Sequence, residues 1–277
     1  MGHEETSVFG SVTQASAQRN MAHPPSNHPS MPSGKPPEVL PLGLDSFLVR
    51  FATHGGRDHP AAVQAFAQAF KDSLTEGVIE VALALASLRV VFDPARTDVT
   101  ALFTQLETLA KSRDWYRDGT PPPLRRWQIP VAFGEGFAPQ LAEVAALTGQ
   151  SIEATVKTLT TTELRVLAIG FAPGQPYIGL LPQDWDFPRQ SELTPEVPAG
   201  ALTAALRQLV LFANPSPTGW RQVGLTAFRP FLADRNAPFL LEAGDAIGFQ
   251  AVSDADMRSL LADNSDGRGG ARCEVLS

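Results

Sequence analysis

Residues 170–179 read Gly-Phe-Ala-Pro-Gly-Gln-Pro-Tyr-Ile-Gly, and this stretch decides how the second half of the chain folds. It places turn-forming glycine and proline beside aromatic side chains at the end of an apolar run. The same combination recurs as Val-Pro-Ala-Gly at 197–200 and as Pro-Ser-Pro-Thr-Gly-Trp at 215–220. Tight bends lined by rings are typical of a shaped pocket and also of the corners of a β-barrel, and both interpretations stay open at this point.

Short β-prone runs surround these segments. After a strand at 127–133, they cover residues 164–171, 201–206, 208–213, 221–226 and 245–252. Regular short strands separated by proline and glycine predict a closed barrel or a sandwich.

The first half of the chain shows a different pattern. Phe47, Val49 and Phe51 alternate with less apolar neighbours, which predicts a strand. An amphipathic helix follows Pro60, then two strands at 78–85 and 88–92, then a helix capped by Thr97 or Asp98. Strand, helix, strand, strand, helix is the order of a ferredoxin-like, split βαβ domain that lacks one strand.

Consecutive prolines at 121–123 mark a change of unit, because proline neither continues a helix nor donates to a sheet. We therefore predict an α+β chain. Its parts are a disordered tail, a ferredoxin-like domain, a β-barrel domain and a flexible tail, over residues 1–38, 39–122, 123–252 and 253–277. The first tail is rich in Ser, Pro, Asn and His, and Met21 is an alternative start to Met1.

Two short helices are predicted at 139–148 and 152–159, separated by Gly149. Helix, glycine, helix is also the outline of a DNA-reading motif. The second helix offers only Lys157 as a cation, so it lacks the charge that phosphate contacts need. This pattern argues against DNA binding.

Composition narrows the function classes. The 277 residues carry a net charge of −7 and are 43% hydrophobic, which is typical of a globular protein. An acidic chain is poorly suited to nucleic acid or anionic membranes. No apolar run approaches the roughly 18 residues of a spanning helix. We predict a cytoplasmic protein that binds neither nucleic acid nor membranes.

Histidine and cysteine are scarce. All five histidines lie in the first 59 positions, and Cys273 is the only cysteine. Zinc sites built on Cys and His, Cys-His pairs and Ser-His-Asp triads therefore cannot form within residues 60–272. We predict no metal and assign no catalytic residue.

The bends quoted above carry a resemblance to the B subunit of 5-oxoprolinase, also called allophanate hydrolase subunit 1, a family that includes the sporulation kinase inhibitor KipI. The likeness runs from about residue 41 to 252. The family pattern is Gly-Phe-x-Pro-Gly-Phe-Pro-Tyr-Leu-Gly, Pro-Arg, Val-Pro-Ala-Gly-Ser-Val, Gly-Gly-Gln-Thr-Gly and Ser-Pro-Gly-Gly-Trp. It matches residues 170–179, 188–189, 197–200, 208 and 216–220 in that order.

The resemblance implies a ferredoxin-like domain followed by a cyclophilin-like barrel. It implies one component of a 5-oxoprolinase that opens 5-oxoproline to glutamate with ATP, the ATP being bound by this chain or by a partner. The implied partners are a C-type subunit (allophanate hydrolase subunit 2-like) and an A-type subunit, and the chain alone would be inactive. Two alternatives stay open: a KipI-like regulatory binding protein, and a carboxyltransferase or allophanate hydrolase-type subunit that acts on another small amide.

A substrate pocket is predicted from the matched motifs. Arg189 would hold a substrate carboxylate, and Gln208 would orient an amide or carbonyl. Gly174, Pro198 and Gly200 would fix the backbone. The full set is Phe171, Gly174, Gln175, Tyr177, Arg189, Pro198, Gly200, Gln208, Ser216 and Trp220.

The chain also departs from the family pattern. Gln175 stands for a phenylalanine, Leu193-Thr194 for a second Pro-Arg, Thr160 for a histidine, and Leu-Arg-Gln-Leu-Val at 206–210 for Gly-Gly-Gln-Thr-Gly. Side chains in place of glycine would fill space or force another loop shape. We predict that the fold persists while the site changes.

Overall fold

The computed structural model describes residues 35–53, 59–73, 75–117 and 119–276. Most of the predicted N-terminal tail therefore lies outside the described residues. Within them the chain forms two main sheets, each with its own helices and its own hydrophobic core. No helix in these ranges is long and apolar enough to cross a membrane.

The first sheet has four antiparallel strands in the order β1-β2-β4-β3. It confirms the ferredoxin-like prediction. The missing strand precedes the predicted series instead of following it, and pairs beside β2. The elements are β1 (Glu38–Pro41), β2 (Ser46–Arg50), α1 (His59–Lys71), β3 (Val78–Leu83), β4 (Ser87–Phe92) and α2 (Val99–Lys111).

Apolar spacing explains why α1 and α2 cover one face of this sheet. Phe66 and Phe70 of α1 and Leu102 and Leu106 of α2 are fully buried in the core that the sheet provides. Asp98 caps α2, its carboxylate accepting the N–H of Ala101 at 2.9 Å. The predicted cap is thereby confirmed.

The second sheet closes on itself. Seven strands follow one another as β12-β9-β10-β7-β6-β13-β5, and Leu225 of β12 pairs with Ala132 of β5 to complete the ring. This is the predicted barrel. The elements of this half of the chain are β5 (Arg125–Ala132), α3 (Leu141–Thr148), α4 (Ile152–Thr161), β6 (Leu164–Ile169), β7 (Pro176–Gly179), β8 (Thr194–Val197), β9 (Ala201–Ala205), β10 (Gln208–Leu211), β11 (Ser216–Thr218), β12 (Arg221–Leu225), β13 (Ala246–Val252), α5 (Asp254–Ala262) and β14 (Arg272–Val275). Strands β8 and β11 pair with each other in a separate two-stranded sheet.

Gly200 lets three parts of the barrel meet. Its N–H donates to the carbonyl of Phe212 at 2.8 Å, and its own carbonyl accepts the N–H of Thr226 at 3.0 Å. With φ at +89°, a Cβ added here would lie 2.1 Å from the Thr226 carbonyl oxygen. Only glycine fits this approach.

The prediction of a flexible tail over residues 253–277 is wrong. Ser253 caps α5 by accepting the N–H of Asp256 at 3.1 Å, and Met257 is fully buried beside Ala132. β14 then pairs with β5 from Arg272 to Val275. The sequence Asp-Gly-Arg-Gly-Gly at 266–270 favours flexibility, but Gly269 is packed tightly against the backbone of Ala227.

An ion-pair cluster lies where the two cores adjoin. Arg125, the first residue of β5, donates to both carboxylate oxygens of Asp245 at 2.8 and 2.7 Å and also pairs with Glu242 at 3.1 Å. The hydrogen bond with Asp245 raises the pKa of Arg125. Gln64 of α1 donates to the carbonyl of Val166 in β6 at 3.0 Å. The hydrogen bond of Gln64 joins the first domain to the barrel, beside the ion-pair cluster of Arg125.

Replacing Gly200 tests this close approach of three neighbouring barrel segments. We expect Gly200→Ala to lower the free energy of unfolding by about 3 kcal/mol or more, because it combines an overpacked contact with an unfavourable φ. Gly136→Ala is the matched control, since nothing lies within 4 Å of a Cβ added there. Urea unfolding measures both. Equal stabilities of the two variants would contradict the proposed role of Gly200.

Candidate functional site

A cleft opens at one side of the barrel, with about 520 Å³ of empty volume that is partly continuous with solvent. Five of the ten predicted pocket residues line it: Phe171, Gln175, Tyr177, Arg189 and Trp220. The structure thus brings half of the predicted set together. The remaining wall consists of Leu193, Val210, Phe212, Pro217, Thr218 and Gly219.

The turn before β7 places the first two residues of this wall. The N–H of Gly170 donates to the carbonyl of Gln175 at 3.0 Å, and the N–H of Gln175 donates to Ala172 at 3.1 Å. Phe171 adopts a positive φ of 69° and is 78% exposed. Its ring therefore stands at the mouth of the cleft, whereas Gln175 turns into the wall.

Two rings and a cation form the opposite side. The rings of Tyr177 and Trp220 meet edge to face, with centroids 6.1 Å apart and planes at 72°. The guanidinium carbon of Arg189 lies 5.3 Å from the centroid of the Trp220 ring, a cation–π distance. Within the part of the chain that the structure describes, Arg189 forms no ion pair. An unpaired guanidinium beside apolar rings suits a carboxylate.

Gln190 fixes the backbone beside Arg189. Its N–H donates to the carbonyl of Gly219 at 2.7 Å, and its Nε2 reaches the carbonyl of Trp220 at 3.3 Å. Gln140, at the start of α3, donates to the side-chain oxygen of Gln190 at 2.7 Å. The loop that carries Arg189 is therefore attached to the loop that carries Trp220.

Arg221 holds the same loop from its other side. Its Nη1 donates to the carbonyl of Pro188 at 2.8 Å, and its Nε donates to Glu143 of α3 at 2.7 Å. Its guanidinium also lies 5.5 Å from the ring centroid of Phe187. Arg221 is thus a positioning residue, whereas Arg189, one position after Pro188, has no ion-pair partner among the described residues.

Gln175 is the most deeply placed polar group of the cleft. It is 2% exposed, and its side-chain oxygen has no hydrogen-bond partner among the described residues. A buried carbonyl without a donor costs about 1–3 kcal/mol. A ligand that donates a hydrogen bond would remove this cost.

Three other predicted residues shape the backbone and do not line the cleft. Gly174 packs against Phe231, whose Cβ would lie 2.7 Å from an added Cβ. Gly200 joins the start of β9 to Phe212 and Thr226, and Pro198 is exposed two residues before it. None of the three lines the cleft.

Gln208 and Ser216 also lie outside the cleft lining. Gln208 begins β10 and pairs with Gly179 of β7, in the same register that pairs Val210 with Tyr177. Ser216 is half-buried on β11, and its hydroxyl donates to the carbonyl of Asn214 at 3.3 Å. Their predicted roles in the pocket rest on the resemblance alone.

The loop that replaces the family glycines keeps a two-residue turn. Leu206 and Arg207 both have positive φ, at 53° and 62°, between β9 and β10. Arg207 compensates for this strain, its N–H donating to Trp185 at 3.0 Å and its Nε to Leu181 at 2.7 Å. Leu206 is 42% exposed, so it leaves the cleft open, while Val210 fills part of the wall.

Sequence reasoning missed several wall residues. Val210 and Phe212 alternate along one strand, a signal that was available once the strand was predicted. Thr218 is 5% exposed and accepts the N–H of Trp220 at 3.0 Å, so its role is to shape the bend. Leu193, 66% exposed at the mouth, has no sequence signal except its departure from the family pattern.

The chemistry that the cleft offers is binding. Its wall contains a cation, a carboxamide and aromatic rings, and no nucleophile paired with a general base. Across residues 35–53, 59–73, 75–117 and 119–276, no three His, Cys, Asp or Glu side chains group as metal ligands. The arrangement can hold and orient a small carboxylate.

Comparison with known proteins assigns the family. The family model of the carboxyltransferase domain, subdomains C and D, matches residues 37–241. The 5-oxoprolinase B subunit of Bacillus subtilis (strain 168) is 30% identical over 79% of this chain and 94% of its own length. The chain belongs to this family of carboxyltransferase-domain, 5-oxoprolinase B-type proteins. The 5-oxoprolinase B subunit of Escherichia coli O157:H7 is 32% identical over 56% of this chain and 75% of its own length.

Solved structures share the fold. The crystal structure of TTHA0988 superposes with a TM-score of 0.60 at 28% identity, covering 75% of this chain and 40% of that one. This protein therefore spans less than half of the TTHA0988 chain. The Kluyveromyces lactis urea amidolyase shares the fold over 89% of this chain, with a TM-score of 0.62 at 14% identity, in 17% of its own chain.

Two arginines beside the cleft can be compared to test which one stabilises the loop and which one is available to a ligand. We expect Arg221→Met to lower the free energy of unfolding by about 1–3 kcal/mol, because it leaves the Pro188 carbonyl and Glu143 without their donor. Arg189→Met should change it by less than about 0.5 kcal/mol, since Arg189 forms no ion pair with the described residues. Urea unfolding of both variants measures the difference. A larger loss from Arg189→Met would make Arg189 a structural residue.

Proposed function

We propose that this protein is the B-type subunit of a 5-oxoprolinase, which opens 5-oxoproline to glutamate with ATP in a complex with C-type and A-type subunits. The family assignment and the names of its relatives support a subunit of a hydrolase of this kind. The observation that supports this substrate is Arg189, which has no ion-pair partner among the described residues and lies beside the Tyr177 and Trp220 rings.

5-Oxoproline fits the chemistry of this wall. Its carboxylate pairs with the guanidinium of Arg189, which can offer two parallel N–H donors. Its flat five-membered ring packs on the aromatic side chains, and its ring amide faces the side-chain amide of Gln175. A site of this composition recognises a small acid with an amide in it.

ATP is proposed to bind to a partner protein. A triphosphate needs several cations, a metal ion or a row of backbone N–H groups. Arg189 is the one cationic side chain among the described residues of the cleft wall. The ATP-linked reaction and the acidic composition favour the cytoplasm as the compartment of the complex.

A second candidate function is a regulatory protein that binds the same ligand without turnover. The observation that favours it is the cleft wall itself, which has no nucleophile with an adjacent base among the described residues. In the first proposal the catalytic groups come from the partners. In the second, ligand binding changes the affinity of this chain for another protein.

The assay for this proposal is 5-oxoproline-dependent ATP hydrolysis by the full chain combined with its C-type and A-type subunits. Turnover should require this chain, and Arg189→Met should lower kcat/KM about 10- to 100-fold because it removes a charged contact with substrate. Gln208→Ala is the matched control outside the cleft and should stay within about twofold of wild type.

The outcomes separate the candidates. A stable complex that binds 5-oxoproline without hydrolysing ATP would contradict the hydrolase proposal and support the regulatory one. Turnover that is unaffected by Arg189→Met but lost in Gln208→Ala would place the substrate at the other end of β10.

A further inference from the structure

Two buried glutamines outside the cleft have structural roles, because each donates a hydrogen bond to a backbone carbonyl. Gln64 is 7% exposed and donates to the carbonyl of Val166 at 3.0 Å. Gln222 is 6% exposed and donates to the carbonyl of Phe137 at 2.8 Å. Gln175 is more buried than either, at 2%, and among the described residues it is the one glutamine with a buried side-chain atom that has no hydrogen-bond partner, its oxygen. Packing alone leaves this amide unexplained, because an apolar side chain of similar size would avoid the cost.

We infer that Gln175 is a specificity-determining residue, which accepts a hydrogen bond from an N–H of the ligand and so restricts the cleft to carboxylates that carry an amide N–H. The class is that of carboxylated lactams. This inference rests on the proposed function, because 5-oxoproline is the member of the class that the cleft is proposed to bind.

The neighbours of Gln175 define the rest of the ligand. Arg189 supplies a cation and the rings of Tyr177 and Trp220 supply apolar surface, in the same cleft wall. A carboxylate alone satisfies Arg189 and leaves the buried oxygen unpaired. A ligand that has a carboxylate and an amide N–H pairs with Arg189 and Gln175 at once. The carboxylate then supplies affinity that all ligands of the cleft share, and the amide N–H supplies the preference for lactams.

Burial makes the discrimination strong. A site built to hydrogen-bond a ligand N–H rejects an analogue without it, because the protein group is then left unpaired in a place that water does not reach. A lactone of the same shape has a ring oxygen in place of the N–H. That oxygen would face the Gln175 oxygen, and two acceptors repel.

The test compares 5-oxoproline with its lactone analogue, 5-oxotetrahydrofuran-2-carboxylate. Calorimetry measures Kd for each with the full chain, alone and in complex with the partner subunits. Wild type should bind the lactam at least about 10-fold more tightly than the lactone. Gln175→Leu should weaken lactam binding at least about 10-fold, leave lactone binding unchanged or make it tighter because the repulsion is removed, and bring the ratio close to one.

Two controls guard against loss of the fold. Gln175→Leu should have a Tm equal to or above that of wild type, since it replaces an unpaired buried amide by an apolar group. Gln175→Met is a second variant, with an unbranched chain of similar length, and should give the same change in ratio. Arg189→Met should weaken both ligands by a similar factor and keep the ratio.

The results distinguish this inference from the function on which it rests. Equal binding of lactam and lactone by wild type, or an unchanged ratio in Gln175→Leu and Gln175→Met, would overturn the role of Gln175 and leave the proposed function standing. Failure of wild type to bind either ligand in the complex would overturn both.

Discussion

The close approach of β9, β10 and β12 at Gly200 is the constraint on which the site depends. One backbone unit with a positive φ joins the end of β10, through Phe212, to the residue that follows β12, Thr226. Phe212 is itself a wall residue of the cleft, and β12 follows directly on Trp220. The rigid ring of strands therefore fixes one wall, and the loops attached to it bring the cation and the aromatic rings to the other.

Among the described residues, the cleft wall combines side chains that are fully hydrogen-bonded with others that are unpaired. Arg221 and Gln190 are fully engaged in holding loops, whereas Arg189 and Gln175 keep a charge and a buried oxygen unpaired among the described residues. Such departures from good local satisfaction are expected where a protein is built to bind something. The surrounding hydrogen bonds offset the free energy of leaving these groups unpaired. They therefore hold the wall in shape before a ligand binds.

Much of the fold could be predicted because its signals are local. Alternation gave β2, helical spacing and a capping aspartate gave α2, and punctuated β-prone runs gave most barrel strands. β7 and β11 were missed because each has only three or four residues and contains a proline. The prediction of a flexible C-terminal tail was wrong because the glycines at 269–270 permit close packing as well as flexibility. The surroundings of Gln208 depend on strand register, which no local pattern gives and which places it beside Gly179.

The central claim is that the cleft bounded by Gln175, Arg189 and Trp220 is where this carboxyltransferase-domain protein holds its ligand. A crystal structure of the assembled complex with 5-oxoproline tests it most directly. The account predicts the ligand ring between Tyr177 and Trp220, its carboxylate on Arg189 and its ring N–H on Gln175. Ligand bound elsewhere in the complex, with this cleft empty at saturating concentration, would contradict it.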